Sequence, residues 1–237
     1  MPVRAITFDF WRTLFREVDT APRNLRRATA LAESTGIPLG RAEDVMEEIQ
    51  RAFLKVHIYE QRTLSAEDAI PMIEEKLELS ITPETADHLC ACFANAILDH
   101  PPVPIDGALD AVRAAAGHVP VGLISDSGIS PGSCLLQLLD RHGFRKHFTS
   151  FSFSDEVGVA KPQSAMYRHA AQGLNVHHTE LMHIGDLEPT DVRGALNVGA
   201  SAALFGGDNN RYVEQSNADY VFTSWTQFIE QLPSIVA

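Results

Sequence analysis

Nowhere in this sequence do apolar residues run for the roughly 18 positions that a membrane-spanning helix requires, so a helical span is excluded. Positive charge is also scarce. The 19 lysines and arginines are outnumbered by 31 aspartates and glutamates, giving a formal charge of −12 at pH 7. A chain so poor in cations lacks the basic face that tracks a phosphate backbone, and no nucleic-acid partner is expected. A small anionic substrate needs positive charge only locally and stays open. Cysteine is limited to Cys90, Cys92 and Cys134, an odd count whose Cys-Ala-Cys spacing suits neither a zinc pair nor a redox pair. Reduced thiols packed in the core are the expectation. No basic segment, apolar stretch and cleavage site of the secretory kind precede the first apolar run, which points to the cytoplasm.

What is present is an ordinary globular composition, 45% hydrophobic and 21% charged in 26.0 kDa. That suffices for one large domain or two modest ones. The organising stretch is residues 3–14, Val-Arg-Ala-Ile-Thr-Phe-Asp-Phe-Trp-Arg-Thr-Leu. Its apolar and β-branched residues read as a strand covered on both faces that ends at Asp9, and in open α/β sheets ligands sit at the carboxyl ends of strands. Alone, Asp9 is as well explained as a turn residue.

From residue 16 to about 100 the periodicity is helical. Val45, Met46, Ile49, Phe53 and Val56 recur at three- and four-residue spacing. Gly36 and Gly40 separate that helix from its predecessor. Ser65 and Asp68 form a capping box for the next, with Pro71 within its first turn or so, and Thr82-Pro83-Glu84 opens another with the stripe Leu89, Cys92, Phe93, Ala96 and Ile97. His100-Pro101-Pro102-Val103-Pro104 stops the helices and reads as a hinge. Beyond it, strand candidates at 119–125, 148–153, 180–185, 200–205 and 220–222 alternate with helix candidates at 106–117, 132–143, 162–173, 190–198 and 224–231. Such alternation predicts a parallel sheet with crossover helices. The expected fold is α/β, a Rossmann-like parallel-sheet core made of residues 1–15 and 103–237, with an α-helical cap subdomain, residues 16–102, inserted after the first strand.

Three polar clusters follow the later strands. Ser125-Asp126-Ser127-Gly128 brings a hydroxyl and free backbone N–H groups to the same sheet edge as Asp9. Lys161 directly precedes Pro162, read as the start of a helix, which places its charge near a helix N-terminus. His183-Ile184-Gly185-Asp186 then delivers one aspartate, with Asp191 five residues on. Each has a structural explanation by itself, as turn, solvated side chain or helix cap. Together they describe a carboxylate, a hydroxyl, an ammonium and two acids at one edge.

In this order and spacing the chain resembles the haloacid dehalogenase superfamily of hydrolases, through Asp9-Phe10-Trp11-Arg12-Thr13-Leu14, Ser125, Lys161-Pro162, and Gly185-Asp186 with Asp191, followed by Gly194-Ala195 and Gly199. The resemblance implies a phosphatase mechanism in which Asp9 forms an aspartyl-phosphate that water then hydrolyses. Thr13 and Ser125, with Asp126, would hold the phosphoryl group, and Lys161 would neutralise its charge. Asp9, Asp186, the backbone carbonyl of Trp11 and Asp191 would surround Mg²⁺. A small phosphorylated molecule is the implied substrate, handled by a monomer or homodimer.

Two departures qualify the resemblance. Family phosphatases carry at position 11 an aspartate that protonates the leaving oxygen and later activates water, and indole does neither. The family's dehalogenases have an aromatic residue there, because halide leaves without a proton. Against that, those dehalogenases work without metal and lack the acid at Asp186, where two carboxylates would repel without a cation. The expectation is therefore a Mg²⁺-dependent phosphatase. Its alternatives are a 2-haloacid dehalogenase and a phosphate-binding or interaction module that has lost turnover. Arg12 replaces glycine and either charges the phosphate pocket or faces solvent. Arg23, Arg26 and Arg27 are expected on a solvated helix face, the alternative being that they read a second anionic group of the substrate, and His177-His178 is expected in a loop.

Overall fold

The computed structural model describes residues 2–237. Strand β1 (Ala5–Phe8) is wholly buried, and its side chains alternate, Ile6 and Phe8 toward one layer and Ala5 toward the other. After β2 (Phe15–Arg16) come four helices, α1 (Ala21–Thr35), α2 (Leu39–Glu60), α3 (Ala66–Leu77) and α4 (Pro83–Asp99). Strand β3 (Val103–Pro104) leads back, followed by α5 (Ala108–Ala116), β4 (Val121–Ser125), α6 (Gly132–Arg141), β5 (Ser150–Phe153), the single turn α7 (Ser154–Val157) and α8 (Ser164–Gly173). The chain ends with β6 (Leu181–Gly185), α9 (Arg193–Asn197), β7 (Ser201–Phe205), β8 (Tyr220–Phe222) and α10 (Trp225–Ile235).

Six strands form one parallel sheet in the order β5-β4-β1-β6-β7-β8. Helices α5, α6 and α10 cover one face through Val112, Leu135, Leu138, Trp225 and Phe228; α8 and α9 cover the other through Met166, Tyr167 and Ala195. This is the Rossmann-like α/β fold expected from the alternation of elements. With both faces buried, near-continuous apolar strands are what the sheet requires. The chain order reverses across β1, since β4 and β5 lie to one side and β6, β7 and β8 to the other. At such a point the crossover loops part and leave a crevice at the carboxyl edge.

The four helices between β2 and β3 bury a core of their own, including Leu31, Val45, Ile49, Ile73, Leu89 and Phe93. Their two connections to the sheet run side by side, since β2 and β3 pair antiparallel, Phe15 opposite Pro104. No helix of the described residues is long and apolar enough to cross a membrane.

Several local expectations need correction. Gly40 does not separate two helices; it lies in the first turn of α2, and Gly36 with φ 75° alone closes α1. Ser65 and Asp68 do form the capping box of α3, but Pro71 falls in the second turn and deprives the Glu67 carbonyl of its helical donor. Of the three free thiols only Cys134 is buried, Cys90 and Cys92 being half-buried on α4. His177 and His178 are not in an open loop: His177 caps a 3₁₀ turn, His178–Glu180.

Two glycines separate backbone freedom from packing. A Cβ at Gly40 would meet nothing within 4 Å, whereas one at Gly194 would lie 2.3 Å from the Tyr167 hydroxyl oxygen. Gly40→Ala should therefore stabilise the protein by about 0.5–1 kcal/mol through helix propensity. Gly194→Ala should cost about 1–3 kcal/mol by overpacking. Urea titrations of both variants check the opposite signs.

Candidate active site

Asp9 follows β1 directly, its backbone N–H donating to the Ile184 carbonyl at 2.8 Å, so the carboxylate emerges at the crevice. It is 3% exposed. The Lys161 ammonium, equally buried, reaches Asp9 Oδ1 at 2.6 Å and Asp191 Oδ1 at 2.7 Å. Lys161 is not fixed by a helix start as expected. Helix α8 begins at Ser164, Lys161-Pro162 is a cis peptide, and the Lys161 backbone N–H donates to Asp126 Oδ1 at 2.9 Å.

Asp191 is the best-satisfied acid of the group. Besides Lys161, its Oδ1 lies 3.1 Å from His183 Nε2, and its Oδ2 accepts from the Leu187 N–H at 2.9 Å. A carboxylate only accepts, so His183 carries its proton on Nε2 and its Nδ1 accepts from the Thr7 hydroxyl at 2.9 Å. Burial keeps this imidazole neutral by lowering its pKa against the pull of Asp191. Gly185 is required here, since any Cβ would fall 2.2 Å from the Asp191 carboxyl carbon.

One ammonium cannot neutralise all of these acids. For Lys161, burial favours the neutral amine, but Asp191, Asp9 and Asp126 outweigh it and hold the ammonium. For Asp191, burial is overcome by Lys161 and His183, leaving the carboxyl well below the usual range. Asp9 has, beyond Lys161, only a long 3.5 Å contact from Thr13 Oγ1. Burial, eased by Lys161 but reinforced by Asp191 and Asp186, pushes its carboxyl well up. Asp186 receives an amide from Asn209 at 2.7 Å and no cation, and burial followed by Asp191 pushes it up to about 6.

Oxygens of Asp9, Asp186 and Asp191 lie within 4.8 Å of one another, all buried. Two of the three carboxylates are short of positive charge, and a hard oxygen donor set with excess negative charge fits a divalent cation such as Mg²⁺. Asp191, with both oxygens engaged, is the least available of them.

The crevice encloses about 170 Å³, walled by Asp9, Trp11, Asp126, Lys161, Asp186 and Asp191. Thr13 and Ser125 are brought close but lie behind this wall. Both are 0% exposed, Thr13 facing Asp9 and Ser125 Oγ donating to the Asp126 carbonyl at 3.3 Å. Trp11 packs its ring on Phe10 at 4.9 Å and donates its indole N–H to the Asp126 carbonyl at 3.2 Å, bracing the loops after β1 and β4 against each other. Arg12 charges no pocket. It adopts φ 55°, a left-handed conformation that explains the family's glycine, and its guanidinium binds Asp208 at 2.9 Å.

The arginine cluster corrects an expectation. Only Arg26 faces solvent, near Asp99; Arg23 and Arg27 are 6% and 5% exposed. Arg23 grips Glu17 at 2.6 Å and the His100 carbonyl at 2.8 Å, clamping both connections, and Arg27 joins the Phe93 carbonyl to Ser130 Oγ at 2.9 Å.

Asn209 and His57 were not foreseen, and Ser127 was read only as part of the cluster after β4. Asn209 lies in the Gly-Gly-Asp-Asn-Asn turn after β7, which its place at the same carboxyl edge marks in the sequence. Ser127 follows Asp126 into the wall. His57, from α2, also lines the crevice, with Nε2 3.6 Å from Asp126 Oδ2. Nothing in the periodicity of α2 distinguishes it.

A family model for haloacid dehalogenase-like hydrolases matches residues 3–199, and the chain belongs to that family. Over 113 residues it is 33% identical to the pyrimidine 5′-nucleotidase YjjG of Escherichia coli strain K12, which covers 47% of this chain and 48% of the nucleotidase; the match thus spans about half that relative's length. It is 23% identical over 173 residues to (S)-2-haloacid dehalogenase 2 of Pseudomonas sp. strain CBS-3, covering 73% of this chain and 70% of the dehalogenase. The magnesium-bound HAD-hydrolase YfnB of Bacillus subtilis superposes with a TM-score of 0.65 at 16% identity, over 100% of this chain and 99% of that one.

The raised Asp186 carboxyl sets a pH dependence. In the metal-free protein it holds a proton between its ordinary value of 3.8 and about 6, where the unfolded chain has lost it. The native state then binds more protons than the unfolded one, so this group lowers stability as pH rises through that window. The loss amounts to about 3 kcal/mol by pH 7. Denaturant titrations in chelator at pH 4 and pH 7 should show a smaller fall for Asp186→Asn than for the parent; parallel curves would refute the assignment.

Proposed function

We propose that this protein is a Mg²⁺-dependent phosphate-monoester hydrolase acting through an aspartyl-phosphate on Asp9. The observation that carries this reading is Asp186, a buried carboxylate within 4.8 Å of Asp9 with no cation of its own. Asp9, Asp186 and the Trp11 carbonyl would hold Mg²⁺, with Asp191 serving more to hold Lys161 than to bind metal. Bound there, the ion would supply charge neutralisation for the carboxylates and for phosphoryl oxygens. Asp9 attacks phosphorus, Lys161 holds its carboxylate in place and, together with the bound ion, would keep it ionised, and Asp126 with Ser127 shapes the wall against which the phosphoryl group rests. Thr13 and Ser125 support these residues from behind. The substrate is a small phosphorylated molecule, in keeping with the nucleotidase relative. Helices α1 to α4, residues 16–102, act as a cap over a core of residues 1–15 and 103–237, excluding water when docked. Three free thiols suit a reducing, cytoplasmic setting, where the protein works as a monomer or homodimer.

Dehalogenation is the second reading, favoured by the aromatic Trp11 in the crevice and the similarity to a haloacid dehalogenase. Release of phosphate and of halide from a broad panel, each with Mg²⁺ and with chelator, tests both. Phosphate release that stops in chelator and returns with Mg²⁺ is expected. Full-rate halide release from a metal-free preparation would establish the alternative, and silence in both would indicate a binding module. In the productive assay Asp9→Asn, an isosteric change, should leave less than about a thousandth of the turnover in a protein that remains folded.

A further inference from the structure

A phosphatase with tryptophan at position 11 lacks the acid that the family's phosphatases place there, and among the described residues the one imidazole on the crevice wall comes from the helical block. His57 sits one turn before the end of α2, and that end is docked onto the loop carrying Lys161. The Gln61 carbonyl accepts from the Ala160 N–H at 3.0 Å and from Gln163 Nε2 at 2.8 Å, so the contacts flank Lys161 on both sides. Toward the core His57 faces Asp126 at 3.6 Å, with Asp9, Lys161, Asp186 and Asp191 on the remaining wall.

On its other side His57 lines a second cavity, of about 250 Å³, with Ile49, Phe53, Leu54, Leu64 and Ile129. Apart from His57 itself, that cavity has no ionisable side chain; its polar members are Gln50, Thr63 and Ser127. His57 and Ser127 are shared by the two cavities and so stand at their junction. An ester with its phosphoryl group at Asp9 and its alcohol in the apolar cavity places the bridging oxygen at that junction.

We propose that His57, oriented by Asp126, is the proton donor to the departing oxygen, and that the alcohol released is uncharged and apolar. This rests on the phosphatase reading above. In the first half-reaction an Asp9 oxygen forms a bond to phosphorus while the bond from phosphorus to the ester oxygen breaks. A ring N–H proton of the imidazolium passes to that oxygen, giving a neutral alcohol and a neutral imidazole. In the second, the imidazole takes a proton from water as the water oxygen bonds to phosphorus and the bond from phosphorus to the Asp9 oxygen breaks. Inorganic phosphate leaves, and the Asp9 carboxylate and the imidazolium are restored. Histidine suits both steps, because its two forms are interchangeable near neutral pH.

The test compares benzyl phosphate, whose alkoxide needs a proton to leave, with 4-nitrophenyl phosphate, whose phenolate does not, both with Mg²⁺ across pH. In the parent, kcat/KM for benzyl phosphate, which reports the steps up to alcohol release and not the shared hydrolysis of the aspartyl-phosphate, should fall on an alkaline limb that 4-nitrophenyl phosphate lacks. In kcat/KM, His57→Gln should lose about 10²–10³-fold on benzyl phosphate and its alkaline limb with it, and less than about tenfold on 4-nitrophenyl phosphate. Phe53→Ala should raise KM for benzyl phosphate and leave that for methyl phosphate unchanged. Equal losses on both esters, or a limb that persists in His57→Gln, would overturn the proton-donor role. An equal effect of Phe53→Ala on benzyl and methyl phosphate would overturn the apolar alcohol site. If the parent cleaves neither ester and releases halide instead, the phosphatase reading fails first; if it cleaves both and His57→Gln behaves as the parent, only the present proposal fails.

Discussion

The ammonium of Lys161, held between Asp9 and Asp191 at 2.6 and 2.7 Å, is the interaction on which the carboxyl edge depends. It is buried together with both partners, and an ion pair in that setting is stable only while every charge remains matched. From it a chain of contacts runs through Asp191 to His183 and back to Thr7, two residues before Asp9 on the same strand. Asp9, the proposed nucleophile, is thus fixed twice, directly by Lys161 and through the strand that carries it. That closed arrangement leaves Asp186 outside, with only the Asn209 amide. The single ammonium cannot match the three carboxylates Asp9, Asp186 and Asp191, and the shortfall is concentrated where a divalent cation would sit.

Sheet topology makes this arrangement possible. Asp9, Ser125-Asp126 and Asp186 end three adjacent parallel strands, β1, β4 and β6, so residues far apart in sequence arrive at one edge without any loop having to reach. Loops then adjust what the strands deliver. Arg12 accepts a left-handed conformation and ties itself to Asp208, next to Asn209, steadying the turn that donates to Asp186. Trp11 fastens the loop after β1 to the loop after β4 through its indole N–H. The side chain at position 11 is therefore a brace in this molecule, and the aromatic surface that makes it one removes the acid that would otherwise stand there.

Much of this was legible in the sequence because the signal was local. Apolar strands ending in Asp9, Ser125 and Asp186 announce a covered parallel sheet and its working edge, and the capping box at Ser65 needs only three residues to specify itself. What was not legible depends on partners distant in the chain. Arg23 and Arg27 read as a charged helix face, since nothing nearby reveals that Glu17, the His100 carbonyl and Ser130 will enclose them. Thr13 and Ser125, expected to hold the phosphoryl group, lie near Asp9 and Asp126 but are fully buried, because spacing along a chain says which edge a side chain reaches and not which way it turns. His57 is the extreme case. On α2 it is one more residue of an amphipathic helix, and it acquires chemical meaning only when that helix is laid over Asp126.

That dependence links catalysis to docking of the helical block. On the proposed reading the core supplies the nucleophile, an ammonium and the acids that would hold a metal, but no residue at position 11 able to move a proton. The one imidazole on the crevice wall belongs to α2, whose end rests on the Lys161 loop through Gln61, while α1 reaches the loop after β4 through Arg27 and Ser130. In the structure those contacts place His57 on the crevice wall beside Asp126. On the proposed mechanism the proton donor then depends on how the helical block is seated, because Trp11 cannot take that part, and the helix that carries His57 also lines the apolar cavity proposed for the alcohol.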